Sequence, residues 1–239
     1  MLYDVLQKIL ARPEYRTLNP DTDTTPSPYH EYNYHISKRY IKNKRLLDIG
    51  CWSGQFERLA VRSTKDIIGL DCNEEAILFA RRLVKGPTFV VGSATKLSFK
   101  NESFDVVTFF DVLEHIPAST ERVCLKEIHR VLKSGGYLLL CTPYKHLLSV
   151  LLDPSFWSQG HRHYGKQELM SLFSKAGFRI VDIFTVGGIW NALSYIAEMT
   201  LKHIFKVKPR LPAWVRQKVK SEYARNAGPS GIRITAQKI

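Results

Sequence analysis

Asp48, Gly50 and Gly54 stand at the end of an apolar stretch that begins at Leu46, in the row Leu-Leu-Asp-Ile-Gly-Cys-Trp-Ser-Gly. A strand that ends in an acid and runs through glycines into a helix makes a nucleotide-type binding turn. The glycines let backbone approach a ligand closely and take conformations closed to residues with a β-carbon. A second acid, Asp71, closes the next apolar stretch about twenty residues on, where a carboxylate accepts both hydroxyls of a ribose. Turn and acid together fit a dinucleotide site as well. The row Gly50-Cys51-Trp52-Ser53-Gly54, however, fails at the second and third glycines of G-x-G-x-x-G. Asp48 would also repel a pyrophosphate, and it suits a ligand that carries an ammonium and a sulfonium.

The elements that must position these residues alternate. Arg45 to Ile49, Asp66 to Leu70, Thr88 to Val91, Phe104 to Phe110 and Tyr137 to Cys141 read as strands. Gln55 to Arg62, Glu74 to Val84 and Thr120 to Leu132 read as helices between them, the last stopped by Ser134-Gly135-Gly136. Phe104 to Phe110 is apolar at nearly every position, as expected of a strand covered on both faces. Strands alternating with helices imply an α/β fold with a parallel sheet between helical layers. Upstream, Asn19 to Pro28 holds three prolines and no aliphatic residue and reads as a loop, and Tyr29 to Tyr40 reads as a helix. Downstream, Pro143 to His163 is a long connection with an apolar patch from Leu147 to Leu152. Lys166 to Lys175 is a helix, Phe178 to Val186 a sixth strand, Gly187 to Phe205 an apolar helix, Leu211 to Tyr223 a basic amphipathic helix, and Gly231 to Ile239 a closing strand.

In register, Asp48, Gly50 and Gly54 resemble the first motif, D-x-G-x-G-x-G, of the class I S-adenosylmethionine-dependent methyltransferases. Trp52 replaces its usual middle glycine. Gly69-Leu70-Asp71-Cys72 resembles the ribose-binding strand end, and Val91 to Phe99 the adenine segment G-D-A-x-x-L-P-F, with Ser93 where Asp is common. Ser103 to Val107, Asp111 to Ile116 and Arg130 to Gly136 resemble the later motifs. The likeness covers roughly residues 40 to 145 and is closest to the ubiquinone- and menaquinone-biosynthesis type. It implies a Rossmann-like seven-stranded sheet, mostly parallel, with an antiparallel last strand beside the sixth. It implies S-adenosylmethionine as cofactor and S-adenosylhomocysteine as product, held by Asp48, Gly50, Cys51, Trp52, Gly54, Asp71, Cys72, Ser93, Ala94, Phe110, Asp111 and Val112. It further divides the chain into an N-terminal cap over 1–40, a cofactor domain over 41–186 plus 229–239, and a helical insertion over 187–228.

Methyl transfer is an in-line displacement at a carbon the sulfonium already activates, so positioning supplies much of the acceleration. A base is needed where the acceptor is a hydroxyl. His115, after the fourth strand, and His163, in His161-Arg162-His163-Tyr164, are the candidate bases; each has an equally plain structural reading as a backbone contact or a helix cap. No grouping of His, Cys and acids has metal-ligand spacing, so no metal is expected.

The chain is basic, with a net charge of +13 over 239 residues. Seven lysines and arginines and no acid lie between Met199 and Lys220, beside an apolar stripe of Trp190, Leu193, Ile196, Ala197, Leu201 and Ile204. Apolar and basic features together suggest that 187–228 contacts an anionic membrane surface or forms a lid. The pattern gives no nucleic-acid module. Four cysteines without framework spacing, and an N-terminus without a signal-peptide core, suggest a cytoplasmic protein, at most peripheral at a membrane. The expected function is methyl transfer to a small, hydrophobic or lipid-linked acceptor at oxygen or carbon. The alternative is a membrane-surface or regulatory protein that binds S-adenosylmethionine without turnover. Oligomeric state is not readable from these features.

Overall fold

A computed structural model describes residues 26–153, 155, 156, 160–203 and 211–239. The loop expected at 19–28 lies largely outside them, as do Trp157, Ile204 and Phe205 at the ends of expected apolar segments.

One seven-stranded sheet organises the described chain. Its strands are β1 (Leu46–Ile49), β2 (Ile67–Asp71), β3 (Thr88–Val91), β4 (Phe104–Phe110), β5 (Leu132–Pro143), β6 (Phe178–Val186) and β7 (Gly231–Lys238), in the order β3-β2-β1-β4-β5-β7-β6. The pairs among β1 to β5 are parallel. β7 runs antiparallel between β5 and β6, as the resemblance implied. Helices α1 (Pro28–Ile41), α2 (Glu57–Ala60), α3 (Glu74–Leu83), α4 (Glu121–Val131), α5 (Leu147–Leu152), α6 (Lys166–Lys175), α7 (Ile189–His203) and α8 (Ala213–Ala224) complete the described elements.

Local chemistry accounts for the main boundaries. Asn73 caps α3 by accepting the Ala76 N–H at 3.0 Å, with Glu74 and Glu75 at the positive helix end and Arg81 and Arg82 in its last turn. α4 buries Cys124, Leu125, Ile128 and Val131, an i, i+3, i+4 stripe that packs on the sheet. β4 is covered on both faces, and Phe104, Val107 and Phe109 are fully buried, each contributing about 2 kcal/mol. The helix expected from Gln55 to Arg62 is a single turn, because the chain closes in short turns from Leu59 to Thr64. β5 is longer than expected: Leu132 already pairs with Phe104, and a bulge there admits the Ser-Gly-Gly segment into the strand. Buried Arg233 on β7 anchors α1. It donates to Asn33 and lays its guanidinium 4.7 Å from the Tyr32 ring.

Candidate active site

The strand order reverses between β1 and β4, and open α/β sheets bind ligands at the carboxyl ends beside such a reversal. Register brings the sequence candidates to that edge. Ile49 pairs with Leu70 and Phe109, and Asp71 with Val91, so the segments that follow, at Gly50, Cys72, Gly92 and Asp111, emerge side by side.

The first turn is built on backbone. Gly50 N–H donates to Leu70 O at 2.7 Å, and Gly54 N–H to Cys51 O at 2.9 Å. Gly50 has φ +81°, and a β-carbon there would stand 2.1 Å from Val112 Cγ2. The loop after β4 therefore packs directly on the glycine. Trp52, where the resembling motif has a glycine, takes a left-handed conformation with φ +47° and leaves its indole 40% exposed. Trp52 holds that conformation at a strain of about 1 kcal/mol. Its N–H donates to Asp71 Oδ2 at 2.9 Å, while Asp71 Oδ1 accepts from Asn73 N–H at 2.9 Å. A carboxylate has about four acceptor sites, so Asp71 retains capacity for two hydroxyls.

Other candidates contribute differently from expectation. The Cys51 side chain turns into the α3 layer among Ile77, Ala80 and Phe89, leaving its backbone at the turn. Phe110 packs edge-on to Phe56 at 5.3 Å, under α1, so its backbone alone reaches the carboxyl edge. Ser93 closes a local turn, accepting from Thr95 N–H at 3.3 Å. Cys72 is exposed, and Ala94 packs against the core.

Beneath the turn lies a buried carboxyl pair. Asp48 accepts the Thr108 hydroxyl at 2.6 Å. Burial nevertheless pushes its carboxyl up to about 7. Burial, and then Asp48 itself, push Glu57 well above the usual carboxylate range. Gly69 makes room for Glu57: a β-carbon there would meet Glu57 Oε1 at 2.6 Å.

From Asp111 a cavity of about 460 Å³ opens between β5, α5, α7 and α8. Asp111, Glu114, His115, Asp153, His161 and His163 line its polar side; Leu148, Leu152 and Ile189 line its apolar side. Its lining includes no lysine or arginine among the described residues. Glu114 accepts the Thr142 hydroxyl at 2.9 Å, and burial followed by Asp111 pushes it well up. His115 stands at the rim, partly open to water; desolvation and His161 hold its ring down to about 4. Burial also lowers His163.

The extended tract 161–164 alternates, so its side chains divide between two faces. Arg162 and Tyr164 turn to the loop after β4: Arg162 Nη2 donates to Leu113 O at 2.8 Å, Tyr164 OH donates to the same oxygen at 3.0 Å, and Arg162 pairs with Glu121. His161 and His163 turn the other way, each with a ring nitrogen 3.4 Å from Asp153 Oδ2. Asp153 and Glu57 carried no signal in the sequence reading, and Glu114 entered it only within the Asp111 to Ile116 stretch. The His-x-His alternation is the pattern from which the shared face of His161 and His163 could have been read.

The description "methyltransferase domain" fits a family model over residues 47–140. A probable S-adenosylmethionine-dependent methyltransferase of Mycolicibacterium smegmatis is 28% identical over 174 residues, covering 73% of this chain and 65% of that one. This chain thus spans just under two thirds of that relative's length. The ubiquinone biosynthesis O-methyltransferase of Pseudomonas aeruginosa is 27% identical over 197 residues, covering 73% of this chain and 82% of the relative. The crystal structure of a methyltransferase from Archaeoglobus fulgidus shares the fold with a TM-score of 0.65 at 22% identity, over 89% and 95% of the two chains. The glycine turn, the Asp71 strand end and these likenesses agree: residues 47–140 match a methyltransferase domain, and the chain is similar over 73% of its length to S-adenosylmethionine-dependent methyltransferases.

Proposed function

We propose that this protein transfers a methyl group from S-adenosylmethionine to oxygen or carbon of a small, hydrophobic or lipid-linked acceptor. The observation that carries this reading is the cavity that starts at Asp111 and ends among leucines. The residues present fit the cofactor. Gly50 leaves space a β-carbon would fill, Asp71 has open acceptor capacity, and no lysine or arginine among the described residues lines the cavity beside Asp111. When bound, the cofactor supplies a methyl carbon activated by a sulfonium. In this reading the Asp48–Gly54 turn, with Cys51 and Trp52, holds its methionine portion, and Asp71 with Cys72 the ribose. Ser93 and Ala94 face the adenine, and Asp111 and Val112 border the methyl position.

Around the mouth, Leu147, Leu151, Ile189, Leu193 and Trp214 are 46–72% exposed. Arg216 and Lys218 lie on α8, in a stretch free of acids from Met199 to Lys220. This combination supports docking on an anionic membrane, where an apolar acceptor is concentrated. No helix among the described residues is long and apolar enough to cross one. The test is transfer of labelled methyl to phenols, quinone precursors, sugars and lipids, with and without anionic vesicles. Labelling of an apolar acceptor, faster on anionic than on neutral vesicles, is expected. Calorimetric binding of S-adenosylmethionine with no label on any acceptor would overturn the reading, and equal rates on both vesicles would remove the membrane.

A further inference from the structure

Asp153 Oδ2 lies 3.4 Å from His161 Nδ1 and 3.4 Å from His163 Nε2. All three side chains are largely enclosed, at 13%, 12% and 2% exposure, and all three line the acceptor cavity. The carboxylate is itself fixed, since its Oδ1 accepts the Ser155 N–H at 2.8 Å. Ser155 in turn meets the Tyr195 hydroxyl at 2.5 Å, which ties the segment to α7. The backbone N–H of His161 donates to Ser155 O at 3.3 Å. On its other side, the His161 ring meets His115 edge-on at 4.3 Å between centroids. His161 is therefore held by carboxylate, backbone and a second ring, with Nδ1 toward Asp153 and Nε2 left for an acceptor.

We infer that His161 is the general base of the transfer, that Asp153 positions it, and that the acceptor atom is a hydroxyl oxygen. The inference rests on the proposed methyl transfer and narrows it. Asp153 holds the proton of His161 on Nδ1, which leaves a lone pair on Nε2. The acceptor hydroxyl gives its proton to Nε2 while an oxygen lone pair forms the new bond to the methyl carbon. The carbon–sulfur bond breaks with its electron pair remaining on sulfur, so the sulfonium becomes a neutral thioether. His161 leaves the step as imidazolium, and the Asp153 charge offsets it. The 3.4 Å separation is long for a formed hydrogen bond, as catalytic contacts often are before substrate arrives. His115 and His163 have different parts. His115 braces the His161 ring, and His163 shares Asp153 from the enclosed side.

The experiment joins two measurements on the whole chain. Nitrogen-15 histidine spectra of the unaltered protein read the tautomer without any acceptor. The expected result is His161 with its proton on Nδ1, and a mixture of tautomers in Asp153→Asn. Kinetics on a hydroxyl acceptor then compare His161→Gln and Asp153→Asn with the unaltered enzyme. His161→Gln is expected to lower kcat by about 10²- to 10⁴-fold, the usual contribution of a general base. KM and calorimetric affinity for S-adenosylhomocysteine should stay within about threefold, which also reports folding. Asp153→Asn should lower kcat less and leave KM unchanged. A proton on Nε2 of His161 in the unaltered protein overturns the inference. So does a His161→Gln variant that binds S-adenosylhomocysteine and keeps its kcat, or turnover confined to carbon or nitrogen acceptors. If the unaltered protein methylates nothing, the proposed function itself falls, while the tautomer still decides the Asp153–His161 pairing.

Discussion

Replacing Glu57 with Gln should stabilise the protein at alkaline pH and leave it nearly unchanged in acid. Glu57 is fully buried, and neither of its oxygens has a hydrogen-bond partner among the described residues. Its burial, with Asp48 beside it, favours the protonated form. Asp48 is carried from 3.8 to about 7 by the same desolvation, against the pull of the Thr108 hydroxyl. A carboxyl raised in this way stabilises the folded state below its unfolded pKa. That contribution is lost as pH rises through the folded value. For Asp48 the window runs from about pH 4 to about pH 7, and a three-unit displacement corresponds to roughly 4 kcal/mol once the group ionises. Gln removes one of the two ionisable groups and offers an amide N–H toward Asp48. The variant should therefore gain in stability over the unaltered protein as pH rises to 8, and differ by less than about 1 kcal/mol at pH 4. Urea unfolding of both proteins at intervals from pH 4 to pH 8 measures the difference directly, since titration of all other groups cancels in it. A difference that does not vary with pH would refute the reading that burial holds Glu57 protonated.

Two substitutions at the turn test its geometry. Gly50→Ala drives a β-carbon to 2.1 Å from Val112 Cγ2 at φ +81°, so it should cost about 1–3 kcal/mol and weaken S-adenosylhomocysteine binding at least tenfold by calorimetry. Adding Val112→Ala should recover part of the stability, and full recovery would show that backbone conformation matters little there. Trp52→Gly should leave thermal stability within about 1 kcal/mol, because relief of strain at φ +47° offsets the entropy of an added glycine; a loss above about 2 kcal/mol would mean that the indole packs as well as points outward.

What was readable in the sequence followed from periodicity and from turn chemistry. β4 announced itself because burial on both faces requires an unbroken apolar run. The turn at Gly50 was legible because no side chain fits against Val112. The carboxyls escaped for the opposite reason. Glu57 sits in a helix sequence, Gln-Phe-Glu-Arg-Leu-Ala, that is ordinary for an exposed glutamate, and only the space left by Gly69 on a different strand encloses it. Asp153 likewise gains its meaning from a fold that returns His161 and His163 to it. Propensity and spacing report on neighbours along the chain. These groups are defined by neighbours across it.

The distribution of charge is the point at which sequence and site disagree most productively. A net charge of +13 describes the chain, yet among the described residues the lining of the cavity carries Asp111, Glu114 and Asp153 and neither lysine nor arginine. Each carboxylate in such a group raises the cost of ionising the next, which is visible in Glu114, displaced upward by Asp111 as well as by burial. An acidic interior of this kind is most stable with a cation beside it. In the proposed function, a sulfonium at the edge of Asp111 and an ammonium near Asp48 would supply that complement, and transfer of the methyl group, which leaves a neutral thioether, would remove the sulfonium charge and weaken the attraction to the product. The basic residues of α8 are solvent-side charges whose reach is set by the Debye length of about 8 Å in physiological salt. In the proposed function the two signs of charge would address two ligands, the acidic interior a cationic cofactor and the basic surface an anionic membrane.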